Sequence, residues 1–119
     1  FFNIISKSKM ALNLSRGIPK KYYSSNRLAS LLGNGLLTFI DEKTKFNNFF
    51  NKDELVFYNN INDLSEKMQK LSADDDMRKK IAKKGWIKYH KYFNSQIVAD
   101  YMIDKIFYQN EKNKTLWDN

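Results

Sequence analysis

The stretch that decides the fold is Ser24-Ser25-Asn26-Arg27-Leu28-Ala29-Ser30-Leu31-Leu32-Gly33-Asn34-Gly35-Leu36-Leu37-Thr38-Phe39-Ile40-Asp41. It opens with three residues whose side-chain oxygens can accept from the free N–H groups of a helix's first turn. Leu28, Leu31 and Leu32 follow at i, i+3 and i+4, the spacing of one buried helix stripe, which predicts a helix over about 26–32. Gly33 and Gly35 flank Asn34 and suit a helix-ending turn with positive φ. Leu36 to Ile40 is a continuous apolar run, as in a strand covered on both faces, and Asp41 stands at its carboxyl end.

Upstream, Met10-Ala11-Leu12-Asn13-Leu14 predicts another strand, followed by a connector that carries Arg16, Gly17, Lys20 and Lys21. Strand, basic connector, helix start, helix, strand is the layout in which open α/β sheets hold phosphate-bearing ligands. Downstream, residues 44–50 predict a short helix with Phe46, Phe49 and Phe50 turned inward, and Leu55-Val56-Phe57-Tyr58 a third strand. Asn59-Asn60 and Asn62-Asp63 make a polar turn into a helix over about 63–71, with Leu64, Met68 and Leu71 on one face.

The final third is helical. Asp74-Asp75-Asp76 opens a helix, since carboxylates oppose its positive dipole end. That helix runs to about Tyr92, with Met77, Ile81, Ala82, Gly85, Trp86, Tyr89 and Phe93 as its inner face and Arg78, Lys79, Lys80, Lys83, Lys84, Lys88 and Lys91 on the remainder. Asn94 or Ser95 caps a last helix whose inner face is Ile97, Val98, Tyr101, Met102, Lys105 and Ile106; residues 109–119 look frayed apart from Trp117. Alternating strands and helices imply a largely parallel sheet. The expected fold is a partial doubly wound, Rossmann-like α/β domain with a short parallel sheet and C-terminal helices. It is one domain over 1–119, with a strand-and-helix core at 8–58 and a helical tail at 61–109. Three strands make a thin sheet, and the chain lacks an initiator Met, so the expectation is a piece of a longer protein.

At 119 residues and 42% hydrophobic, the chain can build one core and not two. The absence of cysteine excludes a disulfide framework, a thiolate zinc site and a cysteine nucleophile. The single His90 cannot form a multi-histidine metal site and reads as a helix-packing or surface residue. No apolar run reaches the roughly 18 residues that span a bilayer. The balance of 21 Lys plus Arg against 13 Asp plus Glu, net +8, favours anionic partners: nucleic acid, anionic lipid or phosphorylated ligands.

The order of these signals resembles the C-terminal half of a GT-B-fold glycosyltransferase, more narrowly the family 1-type, CgeB-like branch. The resemblance rests on Lys9 to Ser15, Tyr23 to Leu28, Gly35 to Asp41, Glu54 to Tyr58, Ile61 to Leu64 and Asp76 to Gly85, and spans about 9–107. It implies a bacterial, cytoplasmic transferase whose C-terminal domain binds the diphosphate of a nucleotide-sugar donor near a helix start, with basic side chains in support. No cofactor and no metal is implied. On that basis the substrate-binding candidates are Arg16, Gly17, Lys21, Ser24, Ser25, Asn26, Arg27 and Ser30. By position Arg27 matches the family's arginine. Ser30 falls where the family usually has a ribose-binding glutamate, and a serine lacks that carboxylate's charge-assisted bond. No catalytic base is identifiable; the family supplies it from an N-terminal domain, and the acceptor is unknown.

The plainer alternatives stay open. Arg16, Lys20, Lys21 and Arg27 can be solvated cations, and Ser24 to Asn26 a simple cap. Asp41 can bond a ligand hydroxyl or cap the next helix. Tyr22 and Tyr23 can stack on a base or pack over the sheet edge. The lysines of 78–91, interleaved with aromatics, can be a solvated face or attract nucleic acid or the anionic inner face of a membrane. A basic binding module for such partners is the alternative function, and an uncovered sheet edge leaves room for a homo-oligomer.

Overall fold

The computed structural model describes residues 7–14, 17–22 and 26–108. Three strands, β1 (Met10–Asn13), β2 (Leu37–Asp41) and β3 (Val56–Tyr58), form one sheet in the order β1-β2-β3. Both pairings are parallel, with Leu12 opposite Phe39 and Phe39 opposite Val56. Helix α1 (Asn26–Gly33) connects β1 to β2; α2 (Ile61–Ala73), α3 (Asp75–Tyr92) and α4 (Ser95–Ile103) follow β3. A π-helical turn at Asp104–Tyr108 continues α4.

β2 is the central strand, and Leu37, Thr38, Phe39 and Ile40 are each at most 1% exposed. This is why its sequence is a continuous apolar run rather than an alternating one. Thr38 enters the core because its hydroxyl donates to the Leu36 carbonyl at 3.1 Å. The strand period of two sends alternate residues to opposite layers. Leu37, Phe39, Val56 and Tyr58 join Leu71, Leu64 and Met68 of α2 on one face. Ile40 joins Leu28 and Leu32 of α1, with Phe46 and Phe50, on the other.

Helix α3 passes across the amino-terminal ends of the strands and feeds both layers. Its Ile81 and Ala82 reach the α2 side, and its Tyr89 reaches the α1 side with Phe93 just beyond its end. Gly85 meets the backbone carbonyl of Glu54, just ahead of β3. Trp86 Nε1 donates to the Gly33 carbonyl at 3.1 Å, and His90 Nε2 lies 3.2 Å from the same oxygen. The helix starts are capped as their residue types require: Asn60, Asp74 and Asn94 accept from the backbone amides of Asp63, Met77 and Ile97.

Several sequence expectations are corrected. The short helix expected at 44–50 is instead two 3-10 turns, Glu42–Thr44 and Phe46–Asn48, separated by Lys45 in the left-handed region at φ 60°. Phe46 and Phe50 are nonetheless buried, with Phe49 packed beside them. Only Gly35 of the glycine pair has positive φ (77°); Gly33 is the last residue of α1. On α3, Met77 and Trp86 are exposed, and Arg78 is buried. The reason is the tight link between α2 and α3, a single residue, Asp74. It folds Arg78 beneath the end of α2, where Nη1 donates to the Leu71 carbonyl at 3.3 Å and Nη2 pairs with Asp75 at 2.6 Å. No described residue of α4 is buried, and Met102 and Ile106 of its expected inner face are largely exposed. Trp117 lies outside the described residues.

Candidate functional site

All three strands end at the same edge, where a hollow of about 640 Å³ opens. Leu14, Gly17 and Pro19 contribute from beyond β1, Asp41 and Lys43 from the end of β2, and Tyr58 and Asn59 from the end of β3. Asn60, Ile61 and Asn62 complete it from the start of α2. A parallel sheet makes this edge special: carbonyl ends of strands and amino ends of helices meet there, so exposed backbone donors and acceptors face one volume.

The polar groups in the hollow have defined states. Asp41 Oδ1 accepts from the Lys43 amide at 2.8 Å, so its carboxylate caps the following 3-10 turn. Burial pushes the Tyr58 phenol up from its ordinary value, and the neighbouring Asp41 charge pushes it further, so it stays protonated at neutral pH and can donate. Asn60 is occupied as a cap, while its neighbours Asn59 and Asn62 are exposed. The Asn59 amide donates to Asp63 Oδ2 at 3.2 Å, which fixes the turn. Asp63 is held below the usual carboxylate range chiefly by the Lys67 ammonium, 3.0 Å away. The same ammonium donates to the Phe57 carbonyl at 2.6 Å, tying α2 to β3. Amide side chains, a phenol, the Lys43 ammonium, the Asp41 carboxylate and exposed backbone make a surface suited to a hydroxyl-rich, hydrogen-bonding ligand.

The other layer of the same edge holds the start of α1. Asn26 and Arg27 are exposed there. Ser30 is half-buried, and its hydroxyl donates to the Asn26 carbonyl at 3.0 Å, back along its own helix. Of the sequence-predicted site residues that are described, only Gly17 lines the hollow; it adopts φ 67° with open space where a Cβ would stand. Lys20 and Lys21 are exposed, and the Lys21 ammonium sits 4.8 Å over the Tyr22 ring. Arg16, Ser24 and Ser25 lie outside the described residues, as does Tyr23. Tyr22 packs: its amide donates to the Thr44 carbonyl, its hydroxyl accepts from Asn48, and its ring lies 5.1 Å from that of Phe49.

Sequence reasoning missed Lys43, Tyr58, Asn59 and Asn62 as site residues. A signal existed: four residues after the third strand contain three asparagines, Asn59, Asn60 and Asn62, at the carboxyl end where such sheets bind ligands. Among the described residues no group of His, Asp and Glu could hold a metal ion, and no helix is long and apolar enough to cross a membrane. The exposed lysines of α3 face away from the sheet at its amino-terminal end, the pole opposite the hollow. One of them, Lys84, pairs with Asp53 at 2.7 Å, and the partly buried Lys88 lies 3.7 Å from Glu54.

With this geometry in place, comparison with known proteins finds that a family model described as "Glycosyl transferase-like" matches residues 1–104. No curated protein and no solved structure matches the chain.

Proposed function

The chain belongs to the glycosyl transferase-like family, and from that premise we propose that it is the nucleotide-sugar donor-binding part of a GT-B-type enzyme of the CgeB-like branch. The observation that carries this reading is the hollow at the carboxyl edge, lined by residues at or just beyond the ends of the three described strands, with α1 beginning in the other layer of the same edge. The donor's diphosphate is assigned to the first turn of α1, where backbone N–H groups and Arg27 meet it, with Arg16, Lys20, Lys21, Ser24, Ser25 and Asn26 as further donors. Preorganised positive groups of this kind stabilise the charge that grows on the leaving nucleoside diphosphate as the glycosidic bond breaks. The donor's sugar is assigned to the hollow, where Tyr58, Asn59 and Asn62 offer neutral donors and acceptors. Ser30 is not assigned to the ribose, because its hydroxyl is turned onto Asn26. The acceptor site and the base that deprotonates the acceptor are assigned to a second domain of the intact protein.

The test is a thermal-shift panel of UDP, GDP, ADP and their sugars on the intact protein. One nucleotide class stabilises it in a concentration-dependent way. Indifference to all of them removes the donor reading. The lysine face of α3 supports a second, separate contact with an anionic membrane surface. It would leave the hollow facing away from the bilayer. Sedimentation with phosphatidylglycerol vesicles at low salt tests it, and equal recovery with phosphatidylcholine vesicles refutes it.

A further inference from the structure

Asn13 ends β1 and is only 3% exposed, yet its side-chain Oδ1 has no hydrogen-bond partner among the described residues. A buried acceptor left unpaired opposes folding, and native proteins hold few of them. An apolar residue would carry no such penalty, so a partner outside the described fold would account for the amide.

Its direction follows from the strand. Met10 and Leu12 pack with the cluster on the α2 side, whereas Ala11 packs against Leu31 and Leu36 on the α1 side. Asn13 stands two residues after Ala11 and shares its face. Its register partner is Ile40, which belongs to the cluster of Leu28 and Leu32 from α1. Asn13 is therefore at the carboxyl end of its strand, on the layer where α1 starts with Asn26 and Arg27.

We infer that Asn13 reads the nucleoside portion of the donor, its Oδ1 accepting a hydrogen bond from a ribose hydroxyl or a base N–H while the phosphates lie at the start of α1. This rests on the donor-binding reading above. The chemistry at this atom is selective: an amide oxygen accepts and does not donate, so Oδ1 pairs with a hydroxyl or N–H group of the nucleoside and not with ionised phosphate oxygens.

The test uses the intact protein and its Asn13→Ala variant, with affinities for UDP, GDP, ADP and inorganic pyrophosphate measured by calorimetry and melting followed without ligand. The expected result is a variant that melts no lower than the wild type, binds the preferred nucleotide about tenfold more weakly, as one lost hydrogen bond implies, and keeps its pyrophosphate affinity. Unchanged nucleotide affinity overturns the inference while leaving the donor reading intact. So does an equal loss toward pyrophosphate, or a variant that melts several degrees lower or fails to fold, which marks Asn13 as structural. A wild type that binds none of the nucleotides overturns the donor reading and this inference together.

Discussion

Gly85 gives the sharpest test of how the sheet is closed at its amino-terminal end. A Cβ added there would lie less than 3.0 Å from the Glu54 carbonyl oxygen, 3.4 Å from its carbon and 3.5 Å from Leu32 Cδ2. The nearest obstacle is backbone, so no rotamer change relieves it. Helix α3 must move outward by roughly an ångström, and in doing so it loosens Ile81 and Ala82 on one layer and Tyr89 on the other. Overpacking of this kind costs about 1–3 kcal/mol, and the upper end applies where backbone meets backbone. Against it stands about 1 kcal/mol gained from replacing glycine by alanine inside a helix. Gly85→Ala is therefore expected to destabilise by about 2 kcal/mol, close to 8 °C in melting temperature for a domain of this size. Gly33→Ala is the control, since its Cβ meets nothing closer than 3.9 Å; it should be neutral or slightly stabilising. Urea unfolding followed by circular dichroism measures both. A Gly85→Ala protein as stable as Gly33→Ala would refute the close approach of α3 to Glu54.

Other outcomes follow from the same packing. Arg78→Met should cost about 2–3 kcal/mol in urea unfolding, because it strips charged hydrogen bonds from the end of α2 and leaves the Leu71 carbonyl unmatched; a loss under 0.5 kcal/mol would place Arg78 in solvent. Phe39→Ala, at 0% exposure on the central strand, should cost about 3–5 kcal/mol, the largest loss among these variants in urea unfolding. Stability should also depend on pH at both extremes. Asp53, Asp63 and Asp75 are held below the ordinary carboxyl value of 3.8, first by hydrogen bonds to Lys84, Lys67 and Arg78. Folding therefore releases protons near that value, and the stability these groups contribute is complete above about pH 4 and falls as acid protonates the folded state. Tyr58 and Tyr89 are raised above the ordinary phenol value of 10.0 by burial, so their contribution is complete below that pH and is lost above it. Melting temperatures across pH 2–11 check both limbs; a flat acid limb would remove the three ion pairs from the account.

Much of this architecture was legible in the residues because it depends on local pattern. The apolar run at Leu36 to Ile40 can be satisfied only by cover on two faces, and β2 has that cover. Leu28, Leu31 and Leu32 share a stripe only in a helix, and all three are buried. Asp41 next to a turn caps it, as its side chain favours. The 42–50 segment misled because three phenylalanines at helical spacing also satisfy two consecutive 3-10 turns; burial was right and the hydrogen-bond pattern was not. For the candidate site the sequence named Gly17, which lines the hollow at the carboxyl edge. It passed over Lys43, Tyr58 and the asparagines of the turn after β3.

By itself, then, the sequence determined the three parallel strands, the helices between and after them, and the charged, cysteine-free character of the chain, because periodicity, caps and composition act over a few residues. Tertiary structure alone decided that β3's turn joins the ends of β1 and β2 around one hollow, that Arg78 is buried and that Asn13 Oδ1 has no partner among the described residues. It also placed the lysines of α3 at the far pole. These facts depend on which distant residues share a face, and that is set by how helices cross a twisted sheet.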